Sequence, residues 1–438
     1  MKIFTYIEKI KGNGLKAKVT RGALVLTVGT FIERGMRLVR NMILARLLAP
    51  EDFGLMAIVL AVLMALESFT DAGVPQAIIQ NKDGHKKEFL NVAWWVQAFR
   101  SLGLFVIAYL LAPVICKFYN EPELLNLLRV SFLSVVAFGL VSPRVAVLEK
   151  EFHFTKAVIL LQGSALLGTL ASISLAFYMQ NVWVLVIGRV VEGILRFLLS
   201  FLLCPFRISF RIDRNNLKEL LTFSRGMIGL SFLTIVSMQI DVFVLGKLVT
   251  GEELGMYSLA LALAQQPVGV FGQIIGRVLF PAFVEKQNDE AALRRTVLKM
   301  IKITIITGLP LITLASIFAR PILSVIYGEK YSAVAVPFAI LCFAMLFRIQ
   351  GVILAGVFFG IGKPHLQRRF VILLAILIII LIYPGIKLYG LTGAAGVLML
   401  SYMAAVFLQV FWMKGAVGME FLDYLRCWSP LSSIREYG

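Results

Sequence analysis

Residues 45–59 read ARLLAPEDFGLMAIV, and residues 246–260 read GKLVTGEELGMYSLA. Aligned without gaps, the two stretches match at Leu47 and Leu248, Glu51 and Glu252, and Gly54 and Gly255. Arg46 with Lys247, Asp52 with Glu253 and Leu55 with Met256 are conservative pairs. Each copy stands at the first outside hairpin of its half of the chain, between long apolar runs. The equivalent placement marks an internal duplication, with each half built to the same plan.

The runs around the copies set the solvent. Residues 370–383 form an unbroken apolar stretch, FVILLAILIIILIY. Such continuity excludes a transmembrane β-barrel, whose strands alternate polar and apolar residues in segments of about ten. The 438 residues are 59% hydrophobic and only 16% charged, where a soluble domain carries about 25% charged residues. Mean hydropathy is +0.87. At about 20 residues per crossing there is room for roughly a dozen helices. The pattern predicts them at 22–44, 54–78, 89–112, 124–146, 156–178, 183–204, 220–245, 254–276, 298–318, 331–356, 369–387 and 390–413. Turn chemistry separates many of them: APEDFG at 49–54, NKDG at 81–84, NEPE at 120–123, YGEK at 327–330 and GKPH at 362–365.

The net charge of +18 finds its explanation in the loops. With the even-numbered loops and both tails counted together, 27 of the 43 Lys and Arg residues fall on one side, and the odd-numbered loops hold six. That alternation is the positive-inside bias. It places both termini in the cytoplasm, supports an even helix count, and leaves no need for a nucleic-acid partner. The expected organisation is a basic cytoplasmic tail at 1–21, an N-lobe of six helices at 22–210, a C-lobe of six at 211–415 and a short cytoplasmic tail at 416–438. Six is an even number, so the halves are parallel repeats related by an axis along the membrane normal. Two such lobes facing one another across a cavity have the geometry of an alternating-access transporter. The N-terminus does not read as a cleavable signal, because its first apolar stretch carries Glu33, Arg34 and Arg37. Cys116, Cys204, Cys342 and Cys427 are scattered without metal spacing and read as buried thiols. No cofactor or metal site is expected.

Ionisable groups in mid-bilayer cost about 2.5–3.5 kcal/mol each, so they face a cavity or a partner. The segment 22–44 is the outlier. At 100° per residue, Glu33, Arg34, Arg37, Arg40 and Asn41 fall within an arc of roughly 120°, joined by Thr30. Two readings fit. One is the cationic wall of a water-filled cavity that attracts an anionic substrate. The other is an ion-pair network in which Glu33, Glu67 and Asp71 neutralise the arginines. The repeat offset carries Arg40 onto Asp241, a candidate for a gate or for a coupling-ion site. Arg100, Arg277 and Arg348 are further cavity candidates. Arg189, Glu192 and Arg196, spaced i, i+3, i+7, read as locally paired. Pro267 is expected to kink its helix.

Together, ILARLLAPEDFGL at 43–55, TDAGVPQAII at 70–79, residues 241–257 and RVLFPA at 277–282 resemble the polysaccharide-biosynthesis flippases. These are Wzx-type exporters of the multidrug/oligosaccharidyl-lipid/polysaccharide superfamily, and the colanic-acid and teichuronic-acid exporters look most similar. The likeness covers about residues 15–425. It implies an all-α, MATE-like membrane fold. It also implies movement of an undecaprenyl-pyrophosphate-linked oligosaccharide from the inner to the outer leaflet of a bacterial plasma membrane, without catalysis. Expected partners are the anionic lipid-linked oligosaccharide, membrane lipids, a coupling H+ or Na+, a polysaccharide polymerase and glycosyltransferases; the expected state is a monomer. Many relatives have fourteen helices, against the twelve expected here: either two are absent by design or the reading frame ends early. Two rival functions are a cation-coupled drug exporter of the same superfamily and a membrane glycan polymerase. The arginine face disfavours cationic drugs. The short outside loops disfavour a polymerase with periplasmic catalytic residues.

Overall fold

The computed structural model describes residues 15–69, 73–151, 154–227, 230–274, 279–287 and 289–429. The first part of the chain forms α1 (Leu15–Leu47), α2 (Pro50–Phe69), α3 (Val74–Gln80), α4 (Lys87–Tyr119), α5 (Leu124–Gly139), α6 (Arg144–Lys150), α7 (Phe154–Ala176), α8 (Trp183–Leu203) and α9 (Arg214–Met227). The second part forms α10 (Leu230–Leu248), α11 (Gly251–Ala264), α12 (Gln266–Ile274), α13 (Phe280–Glu285), α14 (Glu290–Ile317), α15 (Ala319–Tyr327), a 3-10 turn at Glu329–Val334, α16 (Ala335–Gly360), α17 (Pro364–Val417) and α18 (Phe421–Trp428).

Among the described residues, each segment expected from the apolar runs falls on helix, and several are interrupted. The run 54–78 breaks at Gly73, whose φ of 57° is left-handed; Pro75 then sits in the first turn of α3. The run 124–146 breaks before Pro143, where Ser142 ties the loop to α8: its N–H donates to Ser200 Oγ at 2.9 Å and its hydroxyl to the Cys204 carbonyl at 2.9 Å. The run 254–276 breaks at Gln265, immediately before Pro267 enters the first turn of α12. Proline lacks an N–H and is tolerated there, whereas inside a helix it breaks the ladder. Among the described residues, five stretches are long and apolar enough to cross a bilayer unaided: Lys87–Tyr119, Thr155–Ala176, Glu290–Ile317, Glu329–Gly360 and His365–Val417. Their outward faces are apolar: Leu110 is 68% exposed, Leu311 66% and Ile380 63%. Exposed patches of this extent belong against lipid, and the chain is a multi-pass membrane protein.

The duplicated segment has a local explanation. In the second copy, Thr250 caps α11: its hydroxyl accepts from Glu253 N–H at 3.2 Å, and Glu253 Oε2 accepts from Thr250 N–H at 3.0 Å. This is a capping box. In the first copy, Pro50 opens α2, and Asp52 Oδ2 accepts from Ala49 N–H at 3.0 Å. The acid three residues after the cap is what the duplication preserves. Burial pushes the Asp52 carboxyl above the usual range, and backbone N–H groups at Ala49 and Val182 oppose it.

Two compact units divide the chain, Met1–Phe232 and Leu233–Gly438. The expected boundary was 210/211, and the difference is α9. This helix packs on α3 and α4; Leu220 enters the first unit's core beside Ile78, Phe89 and Val147, and Asn81 Nδ2 donates to Glu219 Oε1 at 2.9 Å. In the second unit, α14, α16 and α17 enclose a core of Ile301, Ile353, Val357, Val410 and Met413. The stretch read as a C-terminal tail contains α18, whose Tyr424 and Cys427 are fully buried in that core. Tyr424 donates to Gln350 Oε1 at 2.6 Å, and Arg294 pairs with Asp423 at 2.5 Å. α17 folds back on itself at Gly390, where φ is 56°.

Candidate functional site

In the first unit α1 packs on α7, and α7 on α8. The α7–α8 contact is set by small residues. A Cβ on Gly168 would lie 2.7 Å from Glu192 Cβ and 2.9 Å from the Gly188 carbonyl oxygen; one on Gly188 would lie 1.8 Å from Ser172 Oγ. Small residues let helix backbones approach closely in a membrane, and here they fix the position of Glu192. Its Oε1 sits 2.9 Å from Arg196 Nη2 and 3.7 Å from Arg37 Nη2, so one carboxylate oxygen joins α8 to α1. Arg37 also meets Glu33 at 3.0 Å, one turn earlier on its own helix.

The rest of the cluster is built around these contacts. Arg196 donates from Nε to Ser164 Oγ at 3.2 Å and from Nη2 to the Leu161 carbonyl at 3.4 Å, and its guanidinium lies 4.8 Å from the Phe138 ring centre. The Arg189 guanidinium is 5.6 Å from the same ring, and Glu67 and Glu192 both attract it. Arg40 donates to Asn41 Oδ1 from Nε at 3.3 Å and Nη2 at 3.2 Å. Among the described residues, Nε of Arg34 and Nε of Arg189 are buried without a hydrogen-bond partner. Arg37 and Arg196 thus pair with Glu33 and Glu192, and Glu192 also acts on Arg40 and Arg189. Among the described residues of α1 and α8, five arginines stand near two acids, Glu33 and Glu192, so cations outnumber acids on these two helices. Planar guanidinium groups with spare donors suit phosphate oxygens.

In the second unit, Asp241 is buried on α10 and accepts from Tyr257 Oη at 3.0 Å. Arg348 on α16 is the cation that acts on it. The Arg348 guanidinium lies 5.7 Å from the Tyr402 ring centre, and Arg348 lines a cavity of about 220 Å³ with Gln367, Phe370, Gly351 and Tyr402. Arg348 is thus a cavity residue of its own unit, and Asp241 is held by Tyr257. Arg100 is half-buried on α4. Arg277 and Asp71 lie outside the described residues. Sequence reasoning missed Glu192 as the partner of Arg37. The signal was present, since the i, i+3, i+7 spacing puts Arg189, Glu192 and Arg196 on one helix face, but it was assigned to pairing along that helix.

The comparisons with known proteins agree with this architecture. The chain belongs to the polysaccharide biosynthesis protein family, whose model matches residues 43–336. The lipopolysaccharide biosynthesis protein WzxC of Escherichia coli (strain K12) is 24% identical over 420 residues, which cover 95% of this chain and 85% of that protein. The amylovoran biosynthesis protein AmsL of Erwinia amylovora is 26% identical over 82% of this chain and 93% of its own length. Among solved structures, the lipid II flippase MurJ in an inward closed conformation superposes with a TM-score of 0.78 at 15% identity, covering 92% of this chain and 90% of that one. A MATE multidrug transporter of the MOP superfamily gives 0.67 at 17% identity. These structural likenesses establish an all-α, MOP-type membrane fold.

Proposed function

We propose that this protein flips an undecaprenyl-pyrophosphate-linked oligosaccharide from the inner to the outer leaflet of a bacterial plasma membrane by alternating access. The observation that carries the reading is the arginine cluster of α1 and α8, in which, among the described residues of these two helices, arginines outnumber the acids they pair with. Its charge and geometry match a pyrophosphate head, which two or more guanidinium groups hold through paired donors. The names of the relatives support the class of cargo: lipopolysaccharide and amylovoran biosynthesis, and teichuronic acid biosynthesis for TuaB of Bacillus subtilis (strain 168). MurJ is named a lipid II flippase.

Twelve crossings with both termini in the cytoplasm follow from the alternation of loop charge. The protein acts as a monomeric transporter rather than an enzyme, beside glycosyltransferases that build the cargo and a polymerase that receives it. Arg34, Arg37, Arg40, Asn41, Arg100, Arg277 and Arg348 are the proposed substrate-facing residues. Asp241, with Glu33, Glu67 and Asp71, is a candidate for gating or for coupling to H+ or Na+. The test replaces Arg34, Arg37 and Arg40 singly with Gln at matched membrane levels. Surface polysaccharide should fall and lipid-linked intermediate should accumulate on the cytoplasmic leaflet. Normal export by all three variants would overturn the role of the face.

A further inference from the structure

Glu192 is a conspicuous acid in a cationic site. Its carboxylate is only 13% exposed, and a single oxygen serves Arg37 of α1 and Arg196 of α8. Glu33 differs: it pairs within its own helix and is 22% exposed. The Cβ of Glu192 stands against Gly168 where α7 and α8 pack, so its backbone is held in place and only the carboxylate arm beyond it can swing away from the arginines. Arg196 is pinned independently of it, by Ser164 and Leu161. The carboxylate therefore occupies the position between two guanidinium groups that an anionic ligand would take.

We infer that Glu192 is a resident counter-ion which the substrate's pyrophosphate displaces, so that it sets both uptake and release at the arginine face. The inference rests on the flippase reading and adds a residue and a sign to it. An arriving pyrophosphate must break the Glu192 contacts before it gains Arg37 and Arg196, which weakens binding. When the pairs re-form they help to expel the cargo. Without this carboxylate the site holds its ligand more tightly and turns over more slowly. A residue that merely supported the fold would move binding and export in the same direction.

The experiment titrates the purified full chain with geranylgeranyl pyrophosphate and with geranylgeranyl monophosphate, and measures polysaccharide export in cells. Glu192→Gln should lower Kd for the pyrophosphate about tenfold, one strong charge contact in free energy. The monophosphate, with fewer charges to share, should gain less. Export should fall in the same variant. Glu192→Asp keeps the charge and protects the fold if the glutamine variant is poorly produced. Its shorter arm keeps Arg196 and gives up Arg37, so its affinity should rise by a smaller factor. Ligand binding by the wild-type chain that neither variant tightens overturns the counter-ion role and leaves the flippase reading standing. No binding by any of the three proteins overturns both.

Discussion

Tyr257 donates its hydroxyl to Oδ2 of Asp241 at 3.0 Å, and both side chains are buried. Among the described residues Oδ1 has no hydrogen-bond partner, so the phenol carries much of what holds this carboxyl in place. Tyr257→Phe should destabilise the second unit by about 1–3 kcal/mol, the cost of an unsatisfied buried acceptor. Asp241→Asn retains an acceptor for the phenol and should cost less. Denaturant unfolding of the purified variants compares them, and a silent Tyr257→Phe would show that the bond is not what fixes Asp241.

The fold at Gly390 makes a second prediction. A Cβ on Gly393 would stand 1.9 Å from the Gly385 carbonyl oxygen, whereas one on Gly396 meets nothing within 4 Å. Backbone cannot rotate out of the way as a side chain does. Gly393→Ala should therefore cost about 1–3 kcal/mol or more as an overpacked contact. Gly396→Ala should be neutral or stabilise by up to about 1 kcal/mol through helix propensity. Melting temperatures of the two single variants should move in opposite directions or by clearly different amounts.

Capping in the two copies of the duplicated segment should be separable. Thr250→Ala removes the acceptor for Glu253 N–H and should cost about 1 kcal/mol. Asp52→Ala removes the acceptor for Ala49 N–H and should cost a similar amount. The double variant should show the sum, because each cap serves its own unit. A coupling well above half a kcal/mol would argue against two independent caps.

The C-terminal helix should be held by more than apolar burial. Arg294 and Asp423 pair at 2.5 Å, with the arginine 38% exposed and the aspartate 12% exposed. Solvent screens the arginine, so a double-mutant cycle of Arg294→Gln and Asp423→Asn should return a coupling of only about 0.5–1 kcal/mol. Asp423→Asn should also weaken the N-terminus of α18, since Asp423 Oδ2 accepts from Glu420 N–H at 2.9 Å. A cycle with no coupling would assign the docking of α18 to Tyr424 and the apolar contacts alone.

Much of the fold was legible because long apolar runs declare helices, and because loop charge and the duplicated segment are patterns in the sequence itself. The breaks at Gly73 and Leu140–Pro143 were harder to read, since the apolar runs resume directly after a few polar residues, whereas the one at Gln265 falls beside Pro267, where a kink was expected. The unit boundary lies later in the chain because α9 is amphipathic: its Leu220 joins a core laid down by residues more than seventy positions earlier. α18 was read as tail for a related reason. Only the core of α14, α16 and α17 reveals that Tyr424 and Cys427 have somewhere to go. At the candidate site, the arginine face of α1 followed from helical periodicity. The Arg37–Glu192 pair did not, because no spacing rule links residues 155 positions apart; the glycine-lined crossing of α7 and α8 creates that contact.

The turn at Gly390 also bears on how the protein is made. The helices on either side of it approach closely through Gly385 and Gly393, so the first arm, which also meets α16 around Gly351 and Phe370, gains this particular contact only once the second arm has been made. A stop codon placed just beyond the turn would leave the Gly385 face of the first arm uncovered, so truncation there should shorten the lifetime of the chain in the membrane, as a pulse-chase of the truncated protein would read.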